Sequence, residues 1–596
     1  LEANTTGTAN VAVGTGALVA NTTASNNTAV GKDALNDNTT ADNNTAVGAL
    51  AASKVTTATD IVAIGMSALA DCTTGSGNVA VGRFALGDVT SGTGNTAVGG
   101  FDGSAQPALR VNTGSNNTGI GSGALSSNTT ANNNTAVGYS SLLSNTTGAD
   151  QVAVGRKALQ DNTTGGSNTA VGVNALQNNT TASLNTAVGN SALDQNTTGS
   201  QNTSCGMQSL RDNTTGSNNT AVGLNALRLN TTASNNTAVG YTALDSNTTG
   251  TQNVAVGGNA LDANTTASNN TAVGHDSLTS NTTGSQNTSV GQGTLKTNTT
   301  GNQNTALGKD ALEFNTTGGN NTSIGAFSLN VNTTGSSNVA VGKQTLDANT
   351  TGSFNTAVGD TALGANTTGG SNVACGALAL DVATTGSTNT AIGTHSSGSM
   401  TTGSNNVSAG SFCLDGCTTG SYNVALGHDT ARNISTGGNN VCLGHFAGHS
   451  GSPSGAITTG SNIVCIGNNN TSSAFIKVAF QTGSDKRDKT DIKDFSFGLD
   501  WINKMRPVTY RWDNRDWYEN GTPDGSKKAQ QLELGLIAQE ELEIEKQFGF
   551  GEKTEDMLIA SINANGSYTM KYDRIIPILV NAIKELSAKV AALEVG

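Results

Sequence analysis

The chain has 596 residues and a formal net charge of −13, with only 12% charged and 4% aromatic residues. Low hydrophobicity indicates disorder when it comes with a high charge, but here the charge is low and the sequence strictly periodic, which favours an ordered repeat protein. There is no basic patch, so nucleic acid is not expected as a partner, and no apolar run is long enough for a transmembrane helix. The chain begins at Leu1 and not at a methionine, so we expect a fragment or a processed product.

A five-residue motif organises most of the chain, and one of its copies is Asn44-Thr45-Ala46-Val47-Gly48. The closing glycine recurs at positions 14, 31, 48, 65, 82 and 99, then at 121 and every 17 residues to 444, and last at 467, which makes 27 copies. A fixed period is the signature of stacked repeats that bury a continuous core between neighbours. We therefore predict an all-β solenoid of 17-residue coils that forms a shaft over residues 1–470.

Within one coil, the pattern predicts two short strands and two turns. The second and fourth motif positions, Thr45 and Val47, are apolar and mostly β-branched in other copies, so we expect both to point into the core. The third position, Ala46, stays small in almost every copy, which suggests close contact with a neighbouring chain. Leu35 is expected to be a second core anchor, and stacked coils should align like residues into asparagine and threonine ladders.

The cysteines and histidines do not predict a cofactor or a metal centre, and we expect none. Four cysteines stand where other copies have valine or alanine and are expected to be small buried residues: Cys205, Cys375, Cys442 and Cys465. Cys413 and Cys417 leave a disulfide or a metal pair as an alternative. The histidines of the repeat region are expected to be solvated, with a threefold metal site between chains as the alternative: His275, His395, His428, His445 and His449.

Two steps between motifs are longer than 17 residues, namely Gly99–Gly121 and Gly444–Gly467. Each contains a proline, Pro107 or Pro453, and proline is poorly placed in a continuous ladder. We predict that both segments are loops that leave the solenoid surface.

After about residue 470 the repeat ends. Residues 471–483, which include the apolar run Phe475–Phe480, are predicted to form a connecting strand, and residues 484–596 a small α+β domain that holds all three tryptophans. Its end has an a/d heptad seam, which predicts a coiled coil over residues 573–595, and the mixture of residue types favours three strands over two. The seam consists of Ile576, Leu579, Ile583, Leu586, Val590 and Leu593.

The junction between shaft and domain carries the motif Gly483-Ser484-Asp485-Lys486-Arg487-Asp488-Lys489-Thr490-Asp491-Ile492. Further landmarks are the runs Pro507–Trp512 and Gly535–Glu540 and the pair Tyr572-Asp573. Together they resemble the endosialidase-type intramolecular chaperone domain, the self-cleaving C-terminal domain of phage tailspikes and tail fibres.

The resemblance implies a Ser–Lys dyad at the cleavage junction Gly483–Ser484. Ser484 would be the nucleophile that attacks the carbonyl of Gly483, and Lys489 would be the general base. The chain departs from the family in having Asp488, where an apolar residue is usual before the lysine. A carboxylate there would stabilise the charged form of Lys489, so we hypothesise slow or absent cleavage.

These patterns favour a homotrimeric bacteriophage tail fibre, located on the virion, that attaches to a host cell-surface receptor, with a glycan expected. Enzyme activity is then at most a single-turnover self-cleavage. The repeats are also similar to the head repeats of trimeric autotransporter adhesins, so a bacterial surface adhesin fibre is the alternative. A glycan-cleaving enzyme would need clustered carboxylates and aromatic residues, which the repeats have in small numbers. Ice binding by the threonine ladders would leave the C-terminal domain unexplained.

Overall fold

The computed structural model describes the chain except for residues 102, 104–105, 453, 472–473, 476, 478–482, 563–565 and 595–596. Most of the predicted connecting strand, and Pro453 in the second predicted loop, lie outside the described residues. The chain divides into two compact units, Leu1–Asn355 and Thr356–Gly596. No helix of the described chain is long and apolar enough to span a membrane.

The repeats form a parallel β-solenoid, as the period predicted, with one strand of three residues in each copy of the motif. Neighbouring strands pair in register, so that Thr45 lies beside Val62 and Ala46 beside Ala63. The strands are β1 (Val11–Val13), β2 (Thr28–Val30), β3 (Thr45–Val47), β4 (Val62–Ile64), β5 (Val79–Val81), β6 (Thr96–Val98), β7 (Thr118–Ile120), β8 (Thr135–Val137), β9 (Val152–Val154), β10 (Thr169–Val171), β11 (Thr186–Val188), β12 (Thr203–Cys205), β13 (Thr220–Val222), β14 (Thr237–Val239), β15 (Val254–Val256), β16 (Thr271–Val273), β17 (Thr288–Val290), β18 (Thr305–Leu307), β19 (Thr322–Ile324), β20 (Val339–Val341), β21 (Thr356–Val358), β22 (Val373–Cys375), β23 (Thr390–Ile392), β24 (Val407–Ala409), β25 (Val424–Leu426), β26 (Val441–Leu443) and β27 (Val464–Ile466).

The predicted orientation of the strand is wrong. In every strand after β1 the middle residue is the buried one; Ala46 is 0% exposed, whereas Thr45 and Val47 on either side point outward and Val47 is 37% exposed. The cause is the narrow coil, in which Leu35 and its equivalents, also 0% exposed, fill the interior from the other side and leave room only for a small residue on the strand. The second half of the coil consists of turns and not of a second strand.

Asparagines complete the interior of the coils, as the predicted ladders require. The Asn38 amide donates to Asn21 Oδ1 at 3.3 Å, and the backbone N–H of Asn44 donates to Asn27 Oδ1 at 2.9 Å, each one coil away. Threonines form a third ladder, in which the Thr22 hydroxyl donates to the Thr39 carbonyl at 3.0 Å. Because buried polar groups are costly without partners, these ladders fix the stacking of the coils.

Each strand ends at a glycine because the next coil is very close. At Gly48 φ is +138°, and a Cβ added there would lie 2.5 Å from the carbonyl oxygen of Gly65. That backbone conformation and that distance exclude side chains, so the closing glycine of the motif is a structural requirement.

The cysteines follow the corrected orientation of the strand. Cys205 and Cys375, at the outward fourth position, are exposed and not buried as expected, whereas Cys442 and Cys465, at the inward third position, are buried. Cys413 and Cys417 are free thiols, and burial raises the pKa of Cys413 to about 12 and that of Cys417 to about 11. Within the described chain, no group of three or more His, Cys, Asp or Glu residues could hold a metal ion.

The C-terminal residues form the predicted small α+β fold. In the described part of the chain, two antiparallel strand pairs and three α-helices follow the junction: α1 (Leu499–Ile502), β28 (Val508–Tyr510), β29 (Glu533–Gly535), α2 (Ala538–Gln547), β30 (Ala560–Ile562), β31 (Tyr568–Met570) and α3 (Ile575–Glu594). Trp501, fully buried, stacks on Phe548 with ring centroids 4.6 Å apart, and Ile544, Ile559 and Ile578 complete this core. One face of α3 is therefore held against the domain through Ile578.

Candidate self-cleavage site and assembly surfaces

The two residues of the implied dyad are in contact. A single 3-10 turn, Lys486–Asp488, separates them, and it brings the Lys489 ammonium within 2.5 Å of the Ser484 hydroxyl oxygen. Five residues of separation are thus bridged by one tight turn, which sequence alone could only suggest. The Lys489 amine, once it has lost a proton, could therefore accept the proton that the Ser484 hydroxyl must lose when it attacks.

An ion pair holds the turn in place. Asp485 caps it by accepting the backbone N–H of Arg487 at 2.9 Å, and the Arg487 guanidinium lies 2.6 Å from the same carboxylate. These hydrogen bonds lower the pKa of Asp485. Asp488 forms no ion pair with Lys489 among the described residues, so the two charges are neighbours in sequence without direct contact.

The dyad lies in water in the single chain. Gly483, Ser484 and Lys489 are all exposed, and a Cβ placed on Gly483 would meet nothing within 4 Å. Lysine becomes an effective base when burial lowers the pKa of its ammonium. The contact between the Ser484 hydroxyl and the Lys489 ammonium is present, whereas the low-polarity surroundings that activate a lysine are absent from the described chain.

The seam residues are on the free face of α3. All six are exposed, from 41% for Leu579 to 82% for Leu593, while Ile578 and Ala582 on the other face are buried. Asn581 and Glu585 attach the helix to its domain, since the Asn581 amide donates to the carbonyl of Phe495 and Glu585 accepts the N–H of Leu499. An apolar stripe of this length without a partner is unusual for an exposed helix.

A second apolar surface lies on the outer side of the solenoid sheet. We call it the outer sheet face; it consists of the second and fourth motif positions of successive coils, which are the first and last residues of each strand. Its members that are large, apolar and exposed are Val11, Val13, Val47, Ile64, Val98, Ile120, Val152, Val154, Val171, Val188, Val254, Leu307, Val358, Val373, Ile392, Val407, Leu426, Val464 and Ile466. The sequence pattern identifies these motif positions as mostly apolar, but the structure places them on the outside and not in the core as predicted.

A buried pair of carboxylates on α2 was not found by sequence reasoning. Glu545 accepts three backbone N–H groups, from Leu558, Ile559 and Ala560, at 2.6 to 2.7 Å. One turn earlier, Glu541 is 1% exposed, and its Oε2 has no hydrogen-bond partner among the described residues. Burial, and then the charge of Glu545, raise the pKa of Glu541 to about 7. The sequence signal that could have indicated this pair is the spacing of four between Glu541 and Glu545, which places both carboxylates on the same side of a helix.

This raised pKa predicts a pH-dependent stability that Glu541→Gln removes. An acid whose pKa rises from 4.5 to about 7 on folding is protonated more readily in the folded state, so stability falls as the pH rises through this window. The glutamine variant should gain roughly 2–3 kcal/mol over the wild type at pH 8 and little at pH 4.5. Urea unfolding of the full chain, followed by tryptophan fluorescence, measures it because all three tryptophans are in this domain.

Glu543→Gln on the same helix is the control, because the Glu543 side chain is 67% exposed and should have little effect. If the free energy of unfolding differs by the same amount between the wild type and Glu541→Gln at both pH values, Glu541 has an ordinary pKa.

Comparison with known proteins agrees with the junction motifs. Residues 484–549 match a family model described as chaperone of endosialidase, which confirms the resemblance at the C-terminal side of the solenoid. The matched segment contains Ser484, Lys489 and Glu541 and ends before α3. No curated protein matches the chain.

Proposed function

We propose that the chain is the subunit of a homotrimeric bacteriophage fibre that attaches to a host surface. Its C-terminal domain, over residues 484–596, brings three chains together and then separates itself by cleavage between Gly483 and Ser484. The observation that carries this proposal is the outer sheet face. Large uncovered apolar surfaces mark contacts with other chains, and this one repeats with the period of the solenoid.

The repeated sequence explains why such a shaft needs an assembly domain. Coils that are nearly alike can pair with the wrong coil of a neighbouring chain at little cost, because a slip by one coil keeps almost every contact. A trimeric domain at one end fixes the three chains in register before the shafts pair. The exposed seam of α3 is suited to this task, since three such seams bury one another in a coiled coil.

Cleavage fits the same order of events. The dyad of Ser484 and Lys489 is formed but exposed in one chain, so we expect neighbouring chains to supply the burial that activates the lysine. Loss of the domain after assembly would remove the route back to separate chains and leave the fibre kinetically stable.

Two natural cysteines test the proposed interface. Cys205 and Cys375 are exposed at the fourth motif position, on the outer sheet face, and the other five cysteines are buried. If three copies meet at this face, Cys205 should lie near Cys205 of another copy, within the Cα separation of about 7 Å that a disulfide allows. Mild oxidation of the full chain should then give covalent dimers and larger species on a non-reducing gel.

The matched control replaces both residues by valine, the usual residue at this position, and should abolish cross-linking while light scattering still shows a trimer. A trimer that does not cross-link would move the interface to another surface. A monomer by light scattering would refute the homotrimer itself.

A further inference from the structure

Four of the five histidines of the chain belong to one row of side chains on the second unit. The row follows the corner after the strand-closing glycine in successive coils, where most other copies have small or polar residues such as Asn174 and Asn190. We call it the aromatic row; it consists of His395, Phe412, His428, His445, Phe446 and His449. Because the solenoid has few aromatic residues, six aromatic side chains in one row suggest a binding function.

The rings contact one another both between neighbouring coils and within the last of them. His395 stacks flat on Phe412, with centroids 5.3 Å apart and planes 9° apart, and the Arg432 guanidinium lies 5.0 Å above the ring of Phe412. His428, His445 and Phe446 are instead tilted, by 42° and 49° at successive contacts. Tilted rings leave part of each face uncovered, and both His428 and His445 are exposed.

Polar contacts fix the orientation of the row. Asp429 is nearly buried and binds both His428 Nδ1 and the Arg432 guanidinium at 2.9 Å. Arg432 also lies 3.5 Å from the Asp415 carboxylate. The charges are therefore paired inside the cluster, and the surface offers ring faces, imidazole nitrogens and guanidinium N–H groups without an excess of positive charge.

We propose that the aromatic row binds a neutral saccharide. The apolar C–H faces of a sugar ring suit the uncovered faces of His428, His445 and Phe446, and its hydroxyl groups suit the imidazole nitrogens and Arg432 as hydrogen-bond partners. An acidic saccharide is disfavoured because the only guanidinium of the cluster already has two carboxylate partners. The inference rests on the proposed attachment function, for which it names the ligand class and the place.

The test uses the double variant His428→Asn and His445→Asn in the full chain. Asparagine occupies the same place at Asn190, so the coil accepts it. The matched control is Tyr241→Asn with Met207→Asn, two exposed residues at the same place in other coils. Binding of neutral linear hexose oligosaccharides is measured by saturation-transfer NMR and calorimetry, with a sialylated oligosaccharide as the charged comparison.

We expect the wild type and the control to bind a neutral oligosaccharide, and the double variant to bind it about tenfold more weakly or worse. No neutral binding by the wild type, stronger binding of the sialylated probe, or equal binding by the double variant would each overturn the proposal. A change of oligomeric state in the double variant alone would show that the row is a contact between chains. Failure of the sugar assay leaves the cross-linking and cleavage results of the proposed fibre unaffected.

Discussion

Replacing Ser484 by alanine should leave the chain at its full length under conditions in which the wild type is cut. Ser484 Oγ is the proposed nucleophile, because it accepts a hydrogen bond from Lys489 at 2.5 Å and belongs to the residue that directly follows the bond to be broken. We expect the cleavage rate to fall about a thousandfold or more, which is typical of removing a nucleophile.

The proposed cleavage is an N-to-O acyl shift followed by hydrolysis, and it needs only Ser484, Lys489 and water. Lys489 accepts the hydroxyl proton as Ser484 Oγ bonds to the Gly483 carbonyl carbon, and the proton passes to the Ser484 nitrogen as the amide C–N bond breaks. Water then hydrolyses the resulting ester. A denaturing gel and intact mass spectrometry would show products of residues 1–483 and 484–596, and hydroxylamine should speed the release of the first by attacking the ester.

Two variants separate the roles in this dyad. Lys489→Arg keeps the positive charge but cannot act as a base, so it should also block cleavage. Ser496→Ala removes another exposed serine hydroxyl of the same segment, outside the dyad, and should be cut like the wild type. Normal cleavage of Ser484→Ala, or a new N-terminus other than Ser484, would exclude the proposed mechanism. The absence of cleavage in the trimeric wild type would contradict the proposed cleavage and agree with the slow or absent cleavage hypothesised from Asp488.

The period of the sequence was sufficient to predict the solenoid, because a closely similar motif that recurs every 17 positions is the signature of stacked coils. Which residues of each strand face the interior of the coil could not be predicted from the period. The rule of alternation places Thr45 and Val47 on one side and Ala46 on the other, but it does not say which side is inside. The width of the coil decides this, since Leu35 and the asparagine ladders leave space only for a small residue such as alanine, serine or cysteine.

At the junction, too, the local structure could be predicted from the sequence, whereas the surroundings of the dyad could not. The resemblance of the junction to the endosialidase-type chaperone domain implied the roles of Ser484 and Lys489, and a single turn is a local structure that their five-residue spacing allows. Exposure of the dyad depends on what surrounds it, which no local pattern contains. The raised pKa of Glu541 is also non-local, because it requires the burial of α2 and a neighbouring Glu545 whose partners are 13 to 15 residues away.

Charged residues in the α3 seam should prevent assembly without unfolding the domain. Ile583 and Leu586 are 66% and 51% exposed, so Ile583→Lys with Leu586→Lys removes little packing within the chain. In a three-stranded coiled coil the same change would bury six ammonium groups, and burying unpaired charge is very unfavourable. We expect the trimer to require a concentration about a thousandfold higher, or more, to form.

Sedimentation equilibrium of the full chain measures this change, and tryptophan fluorescence shows whether the Trp501 core remains folded. Ala588→Lys with Ala591→Lys is the matched control, because it adds the same charge at two exposed sites on the same helix away from the seam. Loss of the trimer in the seam variant but not in the control would assign assembly to the seam. A seam variant that remains trimeric would mean that the outer sheet face holds the chains together by itself, and the C-terminal helix would then have to act earlier, in setting the register of the coils.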